Sequence, residues 1–158
     1  MKKISKTSKK NKKEKIVMVS GGFDPIHIGH IRYIQESKKL GDKLVVVINN
    51  DNWFDLKGKP VFMTAKERKE IIEALTPVDQ VIISGHKKGT KDMSVCKEIV
   101  KIKPDIFANG GDRFADNIPE FKLCNDLGIE MVFNVGRGGK IRSSSEMLKT
   151  YAKKVKKC

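Results

Sequence analysis

From residue 16 onward the chain alternates between two hydrophobic patterns. Residues 16–20, 43–49, 78–84, 104–109 and 129–135 are short, mostly apolar runs, the mark of strands buried on both faces. Between them, roughly at 28–40, 64–75, 92–102, 118–127 and 144–154, apolar residues recur every three or four positions, as in amphipathic helices. The punctuation agrees with this division. Thr64 and Glu67 have capping-box spacing ahead of Ile71, Ile72 and Leu75. Asp92 is expected to cap the helix that carries Val95, Ile99, Val100 and Ile102, and Pro104 to end it and open the fourth strand. Gly41 and Gly128 fall where glycine ends a helix. Such alternation predicts an α/β fold: a Rossmann-like, doubly wound, parallel five-stranded sheet with helices on both faces.

Sheets of this kind bind ligands beyond the carboxyl ends of their strands, at the switch in strand order. Every chemically suggestive stretch of this sequence falls at such an end. Gly21-Gly22-Phe23-Asp24-Pro25-Ile26-His27-Ile28-Gly29-His30 follows the first strand and Asn49-Asn50-Asp51 the second. Asn109-Gly110-Gly111-Asp112-Arg113 follows the fourth, and Arg137 to Ser145 the fifth. His27 and His30 stand where strand gives way to helix, and a helix start offers unpaired N–H groups and a positive dipole end to phosphate. Gly21 and Gly22 let the backbone approach a ligand, and Pro25 stiffens the turn. By spacing alone, the two histidines could equally be surface residues or part of a metal site.

The 158 residues, 39% hydrophobic and 33% charged, suit one domain, placed here at residues 16–153. No apolar run approaches the ~20 residues of a membrane span, and the basic N-terminus lacks the apolar stretch of a secretory signal. Cys96, Cys124 and Cys158 are far apart and without metal-ligand spacing, which suits free thiols in a reducing, cytoplasmic setting. The net charge of +14 suggests nucleic acid until it is divided along the chain. Residues 1–15 hold eight lysines and one glutamate, and Lys153, Lys154, Lys156 and Lys157 add four more charges, so only +3 remains for the body. Residues 1–15 are expected to be a disordered Lys-rich tail and 154–158 a basic C-terminal tail. The N-terminal tail would attract anions electrostatically, but it interleaves no aromatic residues for base stacking, so nucleic acid is not the expected partner.

The segment from Gly22 to His30 resembles the His-x-Gly-His signature of the cytidylyltransferase-like nucleotidyltransferases. Four companions appear in that family's order: the polar end of the second strand, the Lys57-Gly58-Lys59-Pro60 loop, Glu67-Arg68 on the next helix, and Arg142-Ser143-Ser144-Ser145. The resemblance spans essentially residues 16–153. It implies an enzyme that joins a nucleoside triphosphate, CTP or ATP, to a phosphorylated small molecule and releases pyrophosphate. His27, His30 and Lys57 would then be catalytic, contacting the triphosphate and stabilising charge at the α-phosphorus. Gly21, Gly22, Phe23, Asp24, Gly29, Lys59, Arg68, Asn109, Gly110, Asp112, Arg142, Ser143, Ser144 and Ser145 would bind the nucleotide, with the serines also capping the last helix. Arg113 and Arg137 would grip the acceptor phosphate. Which of Lys57 and Lys59 reaches phosphate is open, as is whether Trp53 and Phe54 wall the acceptor pocket or cover a hydrophobic edge.

Within the family the marks are mixed. Lys103 to Asp112 resembles glycerol-3-phosphate cytidylyltransferases and heptose 1-phosphate adenylyltransferases, whereas the serine run resembles pantetheine-phosphate adenylyltransferases. A sugar- or polyol-phosphate acceptor is the expectation; a pantetheine-phosphate enzyme, or a non-catalytic nucleotide- or RNA-binding protein on the same fold, is the alternative. The resemblance also implies Mg²⁺ brought in by the triphosphate rather than held in a protein cage, and a homodimer as the usual assembly.

Overall fold

The structure is a computed structural model and describes residues 13–111, 113–115, 118–136 and 141–157. Asp112, Arg137 and residues 1–12 of the Lys-rich tail lie outside the described residues. Five strands, β1 (Ile16–Gly21), β2 (Lys43–Ile48), β3 (Gln80–Ile83), β4 (Ile106–Gly110) and β5 (Glu130–Val135), form one parallel sheet in the order β3-β2-β1-β4-β5. Six helices connect and follow them: α1 (Ile28–Lys38), α2 (Asp51–Leu56), α3 (Ala65–Glu73), α4 (Cys96–Ile102), α5 (Glu120–Asp126) and α6 (Ser144–Val155). The strand order reverses between β1 and β4, so the expected ligand crevice lies at their carboxyl ends.

Successive side chains of a strand point to opposite faces, and here each face has its own core. Val17, Val19, Leu44, Val46, Ile48, Ile106 and Ala108 pack with Ile34 of α1 and Ile72 of α3. Met18, Val47 and Phe107 point the other way and pack with Ile99 of α4 and Cys124 of α5. This is why the inner strands β1, β2 and β4 read as mostly apolar, since neither of their faces meets water, while the edge strands β3 and β5 carry exposed polar residues. Thr64 and Glu67 form the expected capping box at α3.

Several local readings are corrected. Asp92 does not cap α4; its Oδ1 accepts from the backbone N–H and hydroxyl of Ser94, and the helix starts only at Cys96, without a side-chain cap. A short polar turn competed with the helix for that carboxylate. Gly128 takes φ 67 after α5 as expected, but Gly41 is needed for space rather than conformation, since a Cβ there would come within 2.7 Å of the Lys15 carbonyl oxygen. Residues 51–56, to which the pattern assigned no element, form α2, whose N-cap Asn50 accepts from the Trp53 N–H. At the sheet's other margin β5 carries one residue more than β4 between the Ala108–Val132 and Gly110–Val135 pairs, with Asn134 at φ 57.

Candidate active site

Beyond β1 the chain is shaped to bring backbone and rings together. A Cβ on Gly22 would lie 2.8 Å from the Phe54 ring, and one on Gly21 3.0 Å from Phe23, so both glycines have an aromatic residue packed against them. Phe23 itself takes φ 54, a costly conformation for a bulky residue. Its buried ring meets His30 edge-on, 5.0 Å between centroids. Both oxygens of Asp24 are occupied, accepting from the N–H groups of Phe62 and Met63 at 2.7 and 2.8 Å. Asp24 therefore fastens this loop to the one that follows α2.

His27 is the N-cap of α1. Its Nδ1 accepts from the Gly29 N–H at 3.1 Å, and His30 Nδ1 reaches back to accept from the His27 N–H at 3.3 Å. The two rings stack, 3.8 Å apart and 19° from parallel. The intervening Gly29 makes room, because a Cβ there would lie 2.9 Å from His27 Cε1. An Nδ1 that accepts carries no proton, so each neutral ring holds its proton on Nε2. Burial, then the Arg142 charge, lowers the His27 pKa; burial, then His27, lowers that of His30 to about 3. The pair is thus a neutral double N–H donor, held by the helix cap it forms.

That arrangement has a pH signature. The unfolded chain protonates these rings near 6.5, the folded chain takes up the His30 proton only near 3, so their stabilising contribution is complete above pH 6.5 and declines as pH falls through that interval. Imidazole ¹⁵N spectra should give an Nε2–H tautomer for His30 that persists down to about pH 4; titration near 6.5 would contradict the assignment.

Around the histidines lies one cleft with two lobes. The larger, about 650 Å³, is walled by Trp53, Phe54 and Leu148 and edged by Lys57, Lys59 and Lys149. The smaller, about 230 Å³, lies against Tyr33, Gly110, Gly111 and Ile141, with Arg32 and Arg113. Gly22, Phe23, His27, His30 and Arg142 line both, so the histidines stand where the lobes meet. Lys57 Nζ rests 4.2 Å over the Trp53 ring, and burial, followed by the charges of Lys59 and Arg113, lowers its pKa. Lys59 Nζ donates to Ser145 Oγ at 3.0 Å, and Ser144 Oγ donates to the Pro25 carbonyl at 2.8 Å. These bonds tie α6 across the cleft, and Ser143, at the N-cap position, makes no side-chain cap. The serine hydroxyls thus latch loops together instead of capping the helix.

The structure brings most of the expected residues to this cleft, but not all. Arg68 lies beneath it, 1% exposed, donating to the carbonyls of Met63, Gly22 and Asn49 and to Asp51 Oδ1 at 2.6–2.9 Å. Asn109 is also buried, its Nδ2 turned to the Phe107 carbonyl. The adjoining Gly110 is where β4 meets α1, since a Cβ there would lie 2.9 Å from Tyr33, whose hydroxyl donates to the Ala108 carbonyl. Sequence reading overlooked Arg32, Tyr33 and Lys149. Gly29, Arg32 and Tyr33 have the i, i+3, i+4 spacing of one helix face, a signal sufficient to find Arg32 and Tyr33.

Comparison with known proteins agrees with this geometry. The model of the Cytidylyltransferase-like family matches residues 18–144. The FAD synthase of Picrophilus torridus is 35% identical over 133 residues, 83% of this chain and 91% of its own. The bifunctional protein HldE of Blochmanniella pennsylvanica is 36% identical over 136 residues, 84% of this chain but 25% of HldE. Among solved structures, the lipopolysaccharide core biosynthesis protein of Thermoplasma volcanium superposes with a TM-score of 0.64 at 33% identity, covering 78% of this chain and 98% of that one. A parallel sheet with a stacked histidine pair at its switch point, in a chain so matched, belongs to the cytidylyltransferase-like family of nucleotidyltransferases.

Proposed function

We propose that the chain transfers the adenylyl group of ATP to the phosphate of FMN, forming FAD and pyrophosphate. The observation that carries this reading is the larger lobe: an aromatic and aliphatic wall of Trp53, Phe54 and Leu148 beside lysines, directly against the histidine pair. A flavin phosphate needs such a combination, a flat apolar surface for the ring system and cations for the phosphate. Similarity to FAD synthases points the same way and favours a flavin phosphate over the sugar- or polyol-phosphate acceptor expected from the sequence. The nucleoside would occupy the smaller lobe along Tyr33, Gly110 and Gly111.

In this reading an oxygen of the FMN phosphate attacks the α-phosphorus of ATP, and the bond to the α,β-bridging oxygen breaks to release pyrophosphate. The attacking oxygen is already anionic, so no general base is required. The Nε2–H donors of His27 and His30 and the guanidinium of Arg142 would stabilise the charge that develops on the phosphoryl oxygens. Lys57 would hold the FMN phosphate, with its charge kept available by the Trp53 face. The first N–H groups of α6 would meet the departing phosphates. Mg²⁺ would come with the triphosphate: among the described residues no three His, Cys, Asp or Glu side chains converge to hold a metal, and the oxygens of Asp24 are engaged by backbone N–H groups.

A sugar 1-phosphate acceptor is the second reading, favoured by the similarity to HldE. Pyrophosphate release should be measured with ATP and CTP against FMN, heptose 1-phosphate and glycerol 3-phosphate. FAD appearing from ATP and FMN alone supports the first reading. Turnover confined to a sugar or polyol phosphate overturns it.

A further inference from the structure

The third histidine of the chain takes no part in the chemistry above, yet it is 8% exposed and fully engaged. His86 stands in the loop between β3 and α4, far along the chain from α2, and its ring spans that loop. Nε2 lies 3.0 Å from the Ser94 carbonyl, which can only accept, so Nε2 donates. Nδ1 lies 2.7 Å from Ser84 Oγ, and the same Ser84 oxygen accepts the Asn50 N–H at 3.0 Å. The backbone of His86 is equally committed: its carbonyl accepts from the side-chain amides of both Asn50 and Asn52, at 2.8 and 2.9 Å. Farther along the same loop the Met93 carbonyl accepts from Trp53 Nε1 at 3.1 Å.

These bonds end on one element. Asn50 is the N-cap of α2, Asn52 and Trp53 are in its first turn, and Lys57, just past its end, lies over the Trp53 ring. α2 has only six residues, too few to be stable by itself. A belt of loop residues therefore sets where Trp53 and Lys57 stand, and the His86 ring closes the belt by bridging Ser84 at one end and Ser94 at the other. The smaller lobe, formed by α1, β4 and β5 on the far side of the histidine pair, shares none of these bonds.

We propose that His86 is a positioning residue for the acceptor: through Ser84, Ser94 and Asn50 it places the Trp53–Lys57 wall of the larger lobe and so governs the use of the phosphorylated acceptor without governing the nucleotide. This rests on the assignment of the acceptor to the larger lobe. His86 lines neither lobe, and its effect is transmitted through α2.

The test compares His86→Ala, His86→Gln and Ser84→Ala with the wild-type chain. Trp53 is the only tryptophan in the sequence, so its emission reports the position of α2 without any substrate present. His86→Ala is expected to shift that emission to the red. It should also raise the KM for FMN on the order of tenfold while the KM for ATP stays within about twofold. Ser84→Ala should give a smaller change of the same kind, and His86→Gln, whose amide can still donate toward Ser94, should recover part of the loss. Equal changes in both KM values, or unchanged emission with unchanged KM in a folded variant, would overturn the proposal. Should His86→Ala fail to fold, the other two variants carry the same readouts. If wild-type protein turns over a different phosphorylated acceptor, the FMN assignment falls, and the emission shift and the KM for that acceptor still decide the role of His86.

Discussion

Replacing His27 with Asn, or His30 with Gln, should lower kcat on the order of 10²- to 10³-fold while leaving the fold intact. The choice of substitution matters because each histidine does two jobs. Nδ1 of each ring serves the start of α1, and only Nε2 remains for a ligand. Asparagine is among the best N-cap residues, and glutamine three positions later completes a capping box. These variants therefore keep the helix start, because the amide oxygen takes over the capping role of Nδ1, and they remove the imidazole whose Nε2–H faces the cleft. The amide N–H left over stands beside the cap rather than at the far side of a ring. Circular dichroism and thermal melting should match the wild type while single-turnover nucleotidyl transfer collapses. Alanine at both positions would confound the two roles, since it removes the cap as well, at about 1 kcal/mol. Wild-type turnover in either the His27→Asn or the His30→Gln variant would show that the ring replaced serves only the helix.

Arg68→Ala should have the largest effect on stability, about 3–5 kcal/mol, read as a fall in Tm of roughly 10 °C or more. Its guanidinium is buried and supplies donors to three backbone carbonyls and one carboxylate. Removal leaves the carbonyls of Gly22 and Asn49, at the ends of β1 and β2, without that donor, and Asp51 without its cation. Arg68→Lys should recover little, since an ammonium cannot present the planar fork that meets four acceptors in different directions. Because the Gly22 carbonyl belongs to the loop that carries the histidines, turnover should fall with stability. A variant as stable as wild type that had lost only nucleotide affinity would return Arg68 to the ligand-binding role its place in the sequence suggested.

Arg68 marks a boundary in what a sequence can convey. An arginine on a helix with exposed neighbours looks solvated, and nothing local distinguishes one that inserts between strand ends. The same boundary runs through Asp92, Asn109 and the serines. Ser144 bonds to the Pro25 carbonyl from far along the chain, whereas Asp92 and Asn109 turn to partners two residues away, Ser94 and Phe107, rather than to the helix start or the cleft. Short α2 was missed for a related reason, since six residues hold too few apolar positions to reveal a period, and its stability comes from the loop after β3. The cleft itself was legible more fully. His27, His30, Arg113 and Arg142 stand in stretches that follow strand ends, where sheets of this type gather their chemistry, and those ends could be counted along the chain. Lys57 and Lys59 came from the resemblance to the family.

The parallel five-stranded sheet and the helices that cover its faces follow from residue order, and the reaction class from the family that the His-x-Gly-His segment and its companions resemble. A strand buried on both faces must be apolar throughout, a helix on one face must repeat every 3.6 residues, and a helix start with glycines before it is open to phosphate. These are local requirements, and local requirements are written in order along the chain. The burial of Arg68, the α6 latch and the belt that His86 closes around α2 exist only in the assembled fold. Each depends on which atoms from distant segments come within 3 Å of one another, and hydrogen-bond partners at that range are set by packing rather than by sequence neighbours.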